Sequence, residues 1–103
     1  MNYRMYIDGR WVDAANGGTW QVIDPATEEV IQTVPFGDGA DAEAAIAAAA
    51  QAQPKWAAMT AYERGAILRR AAELIYSRLD TLAPIMTREC GKPLGEARGE
   101  WTA

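Results

Sequence analysis

Residues Thr60 to Leu79, TAYERGAILRRAAELIYSRL, form the best-specified helix in the chain. Thr60 and Glu63 make a capping box, in which the Thr60 hydroxyl accepts from the Glu63 amide and the Glu63 carboxylate returns to the Thr60 amide. At 100° per residue, Ile67, Leu68, Ala71, Ala72, Leu74, Ile75 and Leu79 fall on one side, and Arg69, Arg70, Glu73 and Ser77 on the other. An apolar face that broad needs a cover, and the neighbouring residues decide how much of one is available.

Upstream, the chain alternates strand and turn signals. Tyr6-Ile-Asp-Gly-Arg-Trp-Val12 predicts a tight hairpin whose Asp8-Gly9 pair suits a type I′ turn with positive φ at both positions. Asn16-Gly17-Gly18 is a loop. A second hairpin runs from Thr19–Ile23 through Asp24-Pro25-Ala26-Thr27-Glu28 into Glu29–Val34. Two such ribbons are marginal alone and need helices against them.

Helical signals take over after Phe36-Gly37-Asp38-Gly39. Asp38 or Asp41 can cap an alanine-rich helix from Asp41 to Gln53, which Pro54 is expected to end. Lys55 to Met59 then reads as a linker with Trp56 and Met59 as packing anchors. Downstream of Leu79, a third helix is expected from Thr81, as N-cap, to Cys90, with Pro84 in its first turn and Gly91 as a left-handed stop. Pro93 opens a fourth helix, Leu94 to Ala103, with Leu94, Ala97 and Trp101 at helical spacing. Its Gly95 and Gly99 read as a close approach to another backbone. No glycine, proline or polar cap follows Trp101, so the pattern reads as truncated within a domain.

Composition bounds the function. At 103 residues the chain is one domain at most, and half of it is apolar. There is no stretch of membrane-spanning length and no signal-peptide core. A single cysteine excludes an internal disulfide framework and fits a reducing, cytoplasmic compartment. The absence of histidine removes the imidazole base and any His/Cys metal cluster. The net charge of −4 divides into −6 over residues 1–53 and +2 over residues 54–103, with no basic stripe to bind nucleic acid.

Two residues invite a chemical reading. Cys90 would lie at a helix C-terminus, where the dipole disfavours a thiolate, so it is expected to be a buried or half-buried structural cysteine. Glu89 falls in the apolar arc of its helix and reads as a carboxylate bracing the Gly91 turn, with Arg64 or Arg78 or the free amides of the next helix as donors. The alternative is that it ends its helix in water. No GxGxxG or GxxxxGK[ST] pattern is present to cradle a phosphate. Catalytic, cofactor-binding and metal-binding residues are therefore all expected to be absent from this chain.

Taken together, Tyr6–Val12, Asp24-Pro-Ala-Thr-Glu-Glu-Val-Ile31, Asp41 with Ala45-Ile46, Trp56, Glu63-Arg64 and Glu89-Cys-Gly-Lys-Pro-Leu94 with Glu96-Ala97 resemble, in order, the N-terminal region of NAD(P)-dependent aldehyde dehydrogenases. Residues 89–100 look most like the succinate- or glutarate-semialdehyde branch. Glu28 stands where many relatives have glycine, which argues for a turn without positive φ there. The resemblance implies an α/β family fold, of which residues 1–103 would be an incomplete, Rossmann-like coenzyme-binding piece: two β-hairpins followed by about four helices. It also implies a longer enzyme that uses NAD or NADP. In such an enzyme a cysteine attacks a small aldehyde, hydride passes to the nicotinamide, and a glutamate-activated water releases the acid. Those groups belong downstream, so this segment alone is expected to be inactive and to bind no cofactor. Its partners would be the rest of the polypeptide and, in the intact enzyme, further copies of itself. A small non-catalytic helical interaction module is the competing interpretation.

Overall fold

A computed structural model describes residues 3–103. The chain runs β1 (Met5–Ile7), β2 (Arg10–Val12), β3 (Thr19–Ile23), β4 (Val30–Pro35), α1 (Gly39–Ala58), α2 (Ala61–Ser77), α3 (Leu79–Cys90) and α4 (Leu94–Thr102). β1 pairs with β2, and β3 with β4, as separate two-stranded sheets. The residues divide into two units. One takes the chain up to Val22 together with Gln32–Met59; the other takes Ile23–Ile31 and Thr60–Ala103.

In the first unit, the β1–β2 hairpin is antiparallel, with Met5 opposite Val12 and Ile7 opposite Arg10. Asp8 and Gly9 carry φ of 50° and 74°, which matches the right-handed twist of the strands they join. Met5, Ile7 and Val12 are half-buried, while Tyr6 and Trp11 pair across the exposed face with ring centroids 5.0 Å apart. At the base of the second hairpin, Trp20 and Phe36 stack at 5.4 Å. Asp38 is the N-cap of α1, and Asp41 completes its capping box. The helix does not stop at Pro54. It continues to Ala58, so the expected linker is its last turn. Proline removes one hydrogen bond, to the Ala50 carbonyl, and Ala50, Gln53 and Pro54 are all exposed, so water can take that carbonyl.

In the second unit, α2 begins where the capping box puts it. Thr60 N–H donates to Glu63 Oε2 at 2.7 Å, and Glu63 N–H to Thr60 Oγ1 at 3.2 Å. Arg78 then ends α2 and opens α3 in one residue, its N–H donating to Ile75 O while its carbonyl accepts from Thr81 and Leu82. The third helix therefore has its N-cap three residues before the expected Thr81, and Pro84 lies in its second turn. Arg78's carbonyl accepts the first bonds of the helix, and no side-chain cap bond is made. Gly91, at φ 73°, ends the helix as expected. α3 packs chiefly on α4, and both also touch α2. Ala83 and Ala97 are the fully buried residues of this unit. Within the last turn of α4 the Thr102 hydroxyl lies within hydrogen-bond distance of the Arg98 and Gly99 carbonyls, at 3.2 and 3.0 Å.

The tip of the second hairpin belongs to this unit. Glu28 N–H donates to Asp24 O and Asp24 N–H to Glu29 O, closing the turn, while Asp24 Oδ1 accepts from Ala26 N–H. Glu28 sits at φ 64°, against expectation. The bond from residue 28 back to residue 24 leaves the chain with helical handedness, and one left-handed residue is needed to rejoin the ladder, at about 1 kcal/mol for a side chain other than glycine. Gly91 packs against this tip: a Cβ there would lie 2.9 Å from Pro25 Cγ.

Candidate functional site

Neither of the two chemically suggestive residues is built into a site. Cys90 is exposed, not buried as expected, and its thiol donates to Met86 O at 2.9 Å. The last residue of a helix points at solvent unless something covers that end, and here the thiol proton is engaged with the helix's own carbonyl. Glu89 is exposed as well, which removes its bracing role. The Gly91 turn is held by its own N–H to Thr87 O at 2.8 Å and by the contact with Pro25. Gly95 and Gly99 meet nothing within 4 Å at the Cβ position, so within the described residues they make no close backbone approach. Ala97 is the small residue that α4 buries.

The braced carboxylate is Asp41, 8% exposed. Its oxygens accept from Ala15 N–H at 3.1 and 3.3 Å, and from Asp38 N–H at 3.1 Å. Around it, Asn16 Nδ2 donates to Asp38 Oδ2 at 3.0 Å, and Gly18 N–H to Asn16 Oδ1 at 2.7 Å. A Cβ on Gly18 would fall 2.8 Å from both Asn16 Oδ1 and the Phe36 carbonyl, so only glycine fits. The sequence offered Asp38 or Asp41 as the cap of the helix; Asp38 takes that place and Asp41 stands at N3. Its bond to a loop 26 residues away had no local signal.

A depression of about 800 Å³ lies in the first unit between Tyr3, Arg4, Asp13, Gly17, Gly18, Thr19, Gln32, Thr33, Val34 and Pro35. Arg4 Nε pairs with Asp13 at 3.0 Å on its rim. Its glycine amides are committed, Gly17 N–H to Ala14 O and Gly18 N–H to Asn16. At the starts of α1 and α2 the capping boxes likewise engage an amide each, Ala40 N–H donating to Asp38 Oδ1 and Glu63 N–H to Thr60 Oγ1. A dinucleotide pyrophosphate needs free amides at a glycine turn or helix start, and the Gly17 and Gly18 amides of this depression are not free. Among the described residues, no three acidic, cysteine or histidine side chains come together to hold a metal, and no helix is long and apolar enough to cross a membrane.

What the second unit does present is uncovered apolar surface. On α2, Leu74 and Ile75 are half-buried, but Ile67 and Leu68, one to two turns earlier on the same side, are 48% and 62% exposed. Among the described residues, no large side chain in either unit is fully buried. Two ionisable groups on this unit are tuned by local bonds. Glu63 is held below the usual carboxylate range by the Thr60 amide and then by the Thr60 hydroxyl. Lys92 is pushed up by its hydrogen bond to Glu100.

The aldehyde dehydrogenase family model matches residues 11–103. The chain belongs to the aldehyde dehydrogenase family. Over 95 residues it is 55% identical to a glutarate-semialdehyde dehydrogenase of Pseudomonas putida, a match that covers 92% of this chain and 20% of that protein. An aldehyde dehydrogenase structure from Brucella melitensis biovar abortus 2308 superposes with a TM-score of 0.93 at 49% identity, over 97% of this chain and 21% of that one. A betaine aldehyde dehydrogenase variant of Staphylococcus aureus, in complex with NAD+, gives 0.92 at 40% identity, over 97% and 20% respectively. The chain thus spans about a fifth of the length of the aldehyde dehydrogenases it matches. Its two small hairpins followed by four helices are part of that fold.

Proposed function

We propose that this chain is a non-catalytic structural part of the coenzyme-binding domain of an enzyme that oxidises a small semialdehyde to its carboxylic acid with NAD or NADP. The reading rests on 55% identity to a glutarate-semialdehyde dehydrogenase across nearly all of the chain. A nicotinamide dinucleotide, when bound, accepts hydride from the substrate. The residues of this chain contribute scaffold: the Asp41 knot anchors α1 to the loop at Ala15, and the Pro25–Gly91 contact holds the β3–β4 tip in the helical unit. The open flank of α2 at Ile67 and Leu68 is where further polypeptide of the enzyme would pack. In this reading Cys90 and Glu89 take no part in chemistry. The cytoplasmic, homo-oligomeric state of the whole enzyme is part of the same proposal, supported for compartment by a lone exposed thiol with no disulfide partner in the chain.

The test is a pair of assays of nicotinamide reduction with glutarate semialdehyde as substrate. The purified chain is expected to give no turnover. In any longer polypeptide that carries this segment and is active, Cys90→Ser is expected to leave kcat/KM within about twofold, the usual reach of an exposed substitution. Turnover by the chain alone that vanishes in Cys90→Ser would overturn the assignment.

A further inference from the structure

We draw no further inference here: the strongest candidate, the open apolar flank of α2 around Ile67 and Leu68, belongs to the reading already proposed, and nothing in the structure shows any other occupant for it.

Discussion

Replacing Asp41 with alanine takes the acceptor from two backbone N–H groups, those of Ala15 and Asp38, and leaves both beside a nearly buried space. Hydrogen bonds to a charged group contribute about 1.5–3 kcal/mol, so Asp41→Ala is expected to lower stability by about that amount. The local readout is hydrogen exchange at Ala15, which should accelerate in the variant while amides in the middle of α2 keep their rates. Unchanged exchange at Ala15 would remove the knot from the account. Glycines allow a paired comparison. Gly91→Ala imposes a side chain at φ 73° and against Pro25, with an expected loss of about 1–2 kcal/mol. Gly95→Ala and Gly99→Ala add a methyl to open helix surface and should each gain about 1 kcal/mol in this chain. Urea midpoints of the three variants decide it. A loss at Gly95 or Gly99 would restore the close approach that the structure does not show.

At the level of elements, the α2 capping box makes helix stability depend on pH. Because the bonds from Thr60 hold Glu63 below its ordinary value in the folded state, their contribution is fully present above the ordinary carboxylate range. It is lost as pH falls through the lowered value. Lys92 has the opposite sign: its bond to Glu100 contributes below the ordinary lysine value and is lost as pH rises through the raised one. Following the Thr60 and Glu63 amide shifts down an acid titration should show α2 fraying at its start. Glu63→Gln should flatten that response, and an identical titration in the variant would disprove it. These elements also show what a sequence reveals. The Asp8-Gly9 turn, the Thr60–Glu63 box and the Gly91 stop were legible because each is closed by residues within four positions of one another. Pro54 misled as a helix end, because the carbonyl it frees is open to solvent, and Pro84 misled as a first-turn residue, because the helix opens at Arg78. Neither is written locally. Asp41 was legible as a candidate cap, but its distant bond to Ala15 was not, and Glu89 was given the bracing role that Asp41 performs.

For the molecule as a whole, the balance between local order and burial matters most. Two of the four helices open on capping boxes and a third ends on a left-handed glycine, yet the residues buried outright among the apolar ones described are the alanines 14, 83 and 97. A buried leucine or isoleucine contributes about 1.5–3 kcal/mol, and here Ile46, Ile67 and Leu68 remain exposed. The isolated chain is accordingly expected to show strong helical far-UV circular dichroism together with binding of a hydrophobic dye or self-association. Charge substitution at the α2 flank, Ile67→Glu with Leu68→Glu, should reduce that dye signal. A dye-silent monomer with a sharp thermal transition would refute the expectation. That no large side chain among the described residues is fully buried could not be read from composition, since half the residues are apolar. It depends on which faces meet, and that is a property of three-dimensional packing.

Arg78, serving both α2 and α3, leaves no slack between them. The angular phase of the two helices is therefore set by counting residues. One amino acid inserted at this joint would turn all of α3 by about 100° about its axis, carrying Leu82, Ile85 and Met86 away from the side they now bury. Side chains at the joint can vary; the number of residues across it cannot.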